Sequence, residues 1–160
     1  MEIRLGTVDE LKVMWTKETP TKDLFRTGIE DGSREFWVVE CEGEEEPIGE
    51  LHIAWDSVDK DEANGEDRAY LCAFRIEKPF QGKKLGSQLM KRVFKRIEER
   101  GFKEITIGID SREYEKLKEM YTSWGFTELL KSKNEDHHYV DQYGNPTPTE
   151  TYEVYLKRLT

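Results

Sequence analysis

The chain has 160 residues, 36% hydrophobic and 37% charged, with a formal net charge of −9. That length suits a single domain over residues 1–160, able to bury about two-thirds of the surface its unfolded form exposes. No run approaches the roughly 20 apolar residues that cross a bilayer, and the acidic balance excludes general nucleic-acid binding, which sets many Lys and Arg against phosphates. Met1-Glu2-Ile3-Arg4-Leu5 lacks the basic-then-apolar layout of a secretory signal. The two cysteines, Cys41 and Cys72, have no metal-ligand spacing and read as small buried residues of strands. A reduced, cytoplasmic setting with no membrane and no metal is the expectation.

Residues 5–17 read as a helix, with Leu11, Met14 and Trp15 apolar and Asp9 and Glu10 in the first turn. Thr19-Pro20-Thr21 breaks it, and residues 22–29 form a second, short helix. After the turn at Asp31-Gly32-Ser33, residues 36–41 are aromatic and β-branched, as strands are. An acidic turn over 42–47 leads to a partner strand over 48–55. There, alternation sets Glu50 and His52 on one face and Leu51, Ile53 and Trp55 on the other. A polar loop over 56–68 precedes 69–76, nearly continuous in apolar residues and so a central strand covered on both faces. Leu85, Leu89, Val93 and Ile97 recur every four residues, an amphipathic helix ended by Gly101. A strand over 103–109, a helix over 113–124 ended by Gly125, and a strand pair over 126–130 and 151–159 complete the order. Residues 131–150, with His137 and His138, read as a loop. Strand–helix–strand–helix after an antiparallel start makes a mixed α/β (α+β) sheet.

The segment from Ile76 to Ser87 carries the chemistry. A buried strand ends, and a glycine-containing loop enters the amphipathic helix, whose first N–H groups lack intrahelical partners and sit at the positive end of the macrodipole. Gly82 and Gly86 admit a ligand close to the backbone, and Lys83 and Lys84 add full charges, so a diphosphate would be held by several donors at once. Residues 83–100 hold seven basic side chains against two acidic ones inside a chain of net −9, a spot suited to a compact polyphosphate or, equally, a solvated helix face. Read locally, the loop is either this cradle or a tight turn with no ligand. His137, His138, Asp136 and Asp141 do not make a metal set, because adjacent residues rarely point to one centre; they are candidate contacts for a second substrate.

The loop resembles the coenzyme A pyrophosphate loop of the GNAT-type acyl-CoA N-acyltransferases, [Gln/Arg]-x-x-Gly-x-[Gly/Ala]. Gln81 fills its first position, Gly86 its last, and Lys84 stands where the family has the middle glycine. The approach Ile76-Glu77-Lys78-Pro79-Phe80 is similar to the family's Val-x-Pro, with one residue more before the proline. Met120-Tyr121-Thr122-Ser123-Trp124-Gly125-Phe126 resembles Leu-Tyr-x-x-x-Gly-Phe. The resemblance implies a mostly antiparallel sheet with a central splayed parallel strand pair, flanked by helices. It implies acetyl-CoA bound by Gln81, Gly82, Lys83, Lys84, Leu85, Gly86 and Ser87, with pantetheine along Phe74, Arg75 and Ile76. Tyr114 stands where the family often has a pantetheine-facing asparagine.

The implied reaction is direct attack by a primary amine on the thioester, with Tyr121 as general acid; the alternation of the 48–55 strand offers Glu50, or else His52, as a base relay through water. The acceptor is an amine of a small molecule or a protein. An acidic surface over 42–46 and 59–67 would favour a cationic one, such as a polyamine, a lysine side chain or an aminoglycoside, or would serve solubility alone. A non-catalytic acyl-CoA sensor or assembly module of the same fold is the alternative. Exposed edge strands leave room for a homodimer.

Overall fold

The structure, a computed structural model, describes residues 1–159 and their side chains except at 111, 149 and 150. The chain runs β1 (Glu2–Leu5), α1 (Val8–Met14), α2 (Pro20–Asp31), β2 (Arg34–Glu40), β3 (Gly49–Ala54), β4 (Arg68–Ile76), α3 (Leu85–Glu99), β5 (Glu104–Asp110), α4 (Tyr114–Ser123), β6 (Glu128–Val140) and β7 (Pro146–Arg158). One sheet takes the seven strands in the order β1-β2-β3-β4-β5-β7-β6. Its neighbours are antiparallel except for β4 and β5, the parallel pair. No helix among the described residues is long and apolar enough to cross a membrane.

Both faces of the sheet are covered. On one, Leu89, Met90, Val93 and Ile97 of α3 pack on Trp37, Leu51, Ile53 and Leu71, joined by Tyr121 of α4. On the other, Leu11 of α1 and Phe25 of α2 close over Phe36, Val38, Tyr70 and Cys72. Removing each large apolar side chain from water contributes about 1.5–3 kcal/mol, and this two-sided burial anchors the central strands. It also changes the reading of β3. Glu50 and His52 do share a face, but that face is buried beneath α1 and α2, so all six residues of the strand are buried.

The first and last thirds depart from the sequence expectation. Leu5 does not begin a helix but ends β1, which pairs with β2 from Glu2↔Glu40 to Leu5↔Trp37. Helix α1 begins only after Thr7, whose hydroxyl accepts the Glu10 N–H while the Glu10 carboxylate accepts the Thr7 N–H, a reciprocal cap written in the sequence as Thr-x-x-Glu. Pro20 begins α2 rather than merely ending α1: it follows the cap Thr19, where a missing N–H costs nothing. Residues 131–150 are not a loop but most of a long hairpin, with β6 and β7 paired as far as Val140↔Pro146. Cys72 lies buried in β4, whereas Cys41 follows β2 and is half-exposed.

The cationic run on α3 divides. Arg92 stacks over Trp37 at 4.6 Å, Arg100 over Trp55 at 4.2 Å, and Arg96 reaches the Trp55 ring at 5.7 Å while binding Glu35 through two hydrogen bonds to one oxygen and one to the other. Spaced four residues apart, these three arginines roof the aromatic edge of the sheet. Lys84, at the other end of the helix, stays with the loop.

Candidate active site

Strands β4 and β5 pair only from Arg68↔Glu104 to Leu71↔Ile107. Beyond Leu71 they part, because β4 carries a bulge. Its register against β3 passes from His52↔Cys72 to Glu50↔Arg75, so Ala73 and Phe74 together oppose Leu51. Ala73 has φ 54°, a left-handed conformation that costs a side-chain-bearing residue about 1–2 kcal/mol. The end of β4 stays paired with β3 but parts from β5, and two cavities adjoin the gap.

One cavity, of about 540 Å³, runs between the end of β4, the loop after it, and α4. Gln81 ties the loop back to the strand, its Nε2 donating to the Ile76 carbonyl at 2.9 Å. Gly82 has φ 79° and Lys84 φ 65°, so the chain makes a left-handed turn straight into α3. Lys84 caps that helix without a side-chain hydrogen bond, and the first helical bond is Gln88 N–H to the Lys84 carbonyl. Among the described residues, the amides of 82–87 have no protein acceptor. Those of 85–87 open a 15-residue helix at its positive end, which fits a diphosphate. Phe74, Arg75, Ile76, Gln81, Gly82, Lys84, Leu85, Gly86 and Ser87 all line this cavity. Lys83 does not; its ammonium lies 5.6 Å from the Phe80 ring. Nor does Tyr114, which turns to β7 and hydrogen-bonds the Tyr155 hydroxyl at 2.8 Å. Residues unsuspected from sequence complete the wall: Lys116, Leu117, Met120 and Trp124 of α4 and its flank. Their spacing along one helix face is the signal that would have found them.

The second cavity, of about 480 Å³, lies on the other side of the gap and is bounded by β4, β5 and the β6–β7 hairpin. Tyr121 and Phe74 line both cavities. Tyr121 is 5% exposed, and burial, with Glu113 adding to it, pushes its hydroxyl well above the usual phenol value. Cys72 lines the second cavity too, but burial pushes its thiol up to about 12, against the opposing pull of Arg34. It stays a thiol at neutral pH and is a poor nucleophile.

Glu50 lines neither cavity. One oxygen accepts from Trp15 Nε1 and His52 Nε2, each at 2.8 Å, and the other from Arg75 Nε at 3.1 Å and Nη2 at 2.8 Å. Burial alone would raise its pKa; the bonds from His52, Trp15 and Arg75 outweigh it and hold the carboxylate low. Of the residues expected to meet a second substrate, Asp136 lines the second cavity. His138 is buried behind it, Asp141 organises the hairpin turn by accepting the Tyr143 and Asn145 amides, and His137 lines neither cavity.

The model of the Acetyltransferase (GNAT) family matches residues 5–126. Among curated proteins, none matches. Among solved structures, the chain resembles a GNAT family acetyltransferase from Elizabethkingia anophelis with acetyl-CoA bound, at 18% identity and TM-score 0.67, over 99% of this chain and 97% of that one. It resembles the ribosomal-protein-alanine N-acetyltransferase of Brucella melitensis at 14% identity and TM-score 0.70, over 99% and 100%. An aminoglycoside 6'-acetyltransferase type Ii is similar at 15% identity and TM-score 0.69, over 100% and 98%. These likenesses establish the fold: a mixed sheet opened at its one parallel pair, with helices on both faces. With the family's model spanning most of its length, the chain belongs to the GNAT family of acetyltransferases.

Proposed function

We propose that the chain transfers an acetyl group from acetyl-CoA directly to a primary amine, with Tyr121 protonating the departing thiolate. The observation that carries this reading is the position of Tyr121: its side chain lines the cofactor-sized cavity and the second cavity at once. A proton donor at that junction meets both the leaving sulfur and the incoming nitrogen.

In this reading the amides of 82–87 and the Lys84 ammonium bind the pyrophosphate. The backbone of Phe74, Arg75 and Ile76, past the last β4–β5 pair at Leu71, bonds the pantetheine amides like an added strand. An N–H on the same stretch polarises the thioester carbonyl as negative charge develops on its oxygen. When bound, acetyl-CoA supplies the activated acyl carbonyl. Tyr121, with its raised pKa, arrives at the reaction protonated, as a general acid must. Cys72 keeps its proton, which favours direct attack over an acyl-enzyme. Glu50 acts at a distance, fixing Arg75 at the lip of the cofactor cavity.

Calorimetry with acetyl-CoA, followed by a transfer assay over a panel of amines, tests the proposal. Tyr121→Phe is expected to lower kcat about ten- to a thousandfold while leaving acetyl-CoA affinity unchanged. An unaltered kcat would remove Tyr121 from the acid role. No uptake of acetyl-CoA at millimolar concentration would remove the reaction itself, and uptake without transfer to any amine would leave a sensor.

A further inference from the structure

Two carboxylates among the described residues line the second cavity, Asp110 and Asp136. Asp110 is neutralised where it stands: Arg112 donates to both its oxygens, at 3.1 and 2.7 Å. Asp136 has no such partner among the described residues. One of its oxygens accepts the His138 backbone N–H at 2.8 Å; among the described residues the carboxylate enters no ion pair.

The surroundings hold it there. Arg34 Nη2 lies 2.7 Å from His138 Nδ1, and a guanidinium only donates, so Nδ1 accepts and the proton sits on Nε2. Nε2 then donates to Glu62 at 3.1 Å. Tyr70 stacks on the His138 ring at 4.6 Å between centroids. Glu62 is balanced in turn by Lys133 at 3.3 Å and by the Tyr152 hydroxyl at 3.2 Å. Arg34, His138, Glu62, Lys133 and Tyr152 are thus partnered among themselves, which leaves the Asp136 carboxylate outside their ion pairs. The rings of Tyr70, Tyr139 and Tyr152 line that cavity beside it, and aromatic faces attract alkylammonium ions.

We propose that Asp136 is the acceptor-site carboxylate, pairing with the ammonium group of a primary alkylamine and taking its first proton. The inference rests on the acyl-transfer reading and deepens it. Asp136 as carboxylate receives one proton from R–NH3+, giving the carboxylic acid and R–NH2. The nitrogen lone pair forms the C–N bond to the acetyl carbonyl, and the C–S bond breaks with its electron pair going to sulfur. Tyr121 gives its hydroxyl proton to that sulfur and recovers one from the nitrogen, leaving the neutral amide. Asp136 returns its proton to solvent. The groups that face Asp136 are Tyr70 and Cys72 from β4, Glu62 from the loop before it, Lys133, His138 and Tyr139 from β6, and Tyr152 from β7. Burial, reinforced by Glu62 and opposed by His138 and Lys133, raises its pKa above the usual carboxylate value, toward that of a useful base.

The test compares the full chain with Asp136→Asn, which keeps an oxygen for the His138 N–H. The probes are n-butylamine and its neutral analogue 1-butanol, titrated at neutral pH and followed by NMR, with acetyl-CoA calorimetry on the same samples. The wild type should prefer n-butylammonium to 1-butanol by about tenfold or more, and the amine should shift the titration of the Asp136 carboxyl carbon to lower pH. Asp136→Asn should lose the preference at unchanged acetyl-CoA affinity, and kcat/KM should lose its acid limb. A wild type without the preference, or a variant that retains it, overturns the inference while acetyl-CoA binding leaves the parent reading standing. Failure of the wild type to bind acetyl-CoA overturns that parent reading instead.

Discussion

Lys84 is the position at which the backbone and the charge of the loop can be separated. Its φ of 65° and ψ of 13° are left-handed, a region that costs a residue with a Cβ about 1–2 kcal/mol. Glycine avoids that cost but gives up about 0.5–1 kcal/mol to the freedom of the unfolded chain. Alanine keeps the strain and loses only the ammonium group. Lys84→Gly should therefore exceed Lys84→Ala in stability by about 0.5–1 kcal/mol, which for a domain of this size is about 1–4 °C in Tm. Both variants lack the charge, so both should bind acetyl-CoA more weakly than the wild type, and by a similar factor that shrinks as salt rises. Urea midpoints give the stability difference, and calorimetry at two ionic strengths gives the affinities. Equal stability of the two variants would refute the left-handed cap. Undiminished affinity in both would refute the assignment of the ammonium to the phosphates. The family's glycine at this position and the lysine here thus solve one problem differently: the glycine relieves the turn, and the lysine accepts strain in exchange for a cation at the helix mouth.

His52 is fully buried, and burial holds its pKa below the usual imidazole value despite the opposing Glu50 hydrogen bond. The unfolded chain therefore takes up a proton near pH 6.5 that the folded one refuses, so this contribution is fully present above about pH 6.5 and is lost as pH falls, by up to about 1.4 kcal/mol per unit. His52→Gln should flatten the fall in urea midpoint between about pH 7.5 and 5.5; an equally steep variant would contradict the assignment. Phe25→Ala should cost about 3–5 kcal/mol, because Phe25 is fully buried, meets the His52 ring edge-on at 5.0 Å and carries the Arg34 guanidinium 4.4 Å above it. A loss under about 1 kcal/mol, where surface substitutions fall, would mean that α2 does not close that face of the sheet.

The elements that were legible in the sequence are those whose signal is local. Helix α3 announces itself through Leu89, Val93 and Ile97, and β4 through unbroken apolar character, because each of these residues faces the core from within one element. The hairpin of β6 and β7 was not legible. Glu128–Val140 reads ELLKSKNEDHHYV, with polar residues on both faces, since an edge strand meets solvent on much of its surface and its regularity comes from pairing with the next strand, from Val140↔Pro146 out to Glu128↔Leu156. Strand β1 was hidden for the same reason: Glu2–Leu5 is extended by β2, not by its own composition. The acidic partner Glu50 was placed on the correct face, but the alternation that found it could not say that α1 and α2 would bury that face.

The same distinction separates the two halves of the site. The loop proposed to hold the cofactor stands out in the sequence because its amides are consecutive, 82–87, and a backbone cradle needs particular residue types in a row. The cavity proposed for the acceptor has no such row. Tyr70, Tyr121, Asp136 and Tyr152 come from β4, α4, β6 and β7, and what assembles them is the parting of β4 from β5. That parting begins at Ala73, a residue whose side chain gives no hint of a left-handed backbone. One bulge then has two consequences. It leaves the β5-facing edge of β4 without a strand partner beyond Leu71, the edge proposed to take an extended cofactor arm, and it withdraws the strand from β5, which opens the gap proposed for the second substrate. Because both cavities adjoin a single distortion, Tyr121 and Phe74 border each of them, and the proposed transfer brings its two substrates together where those rings stand.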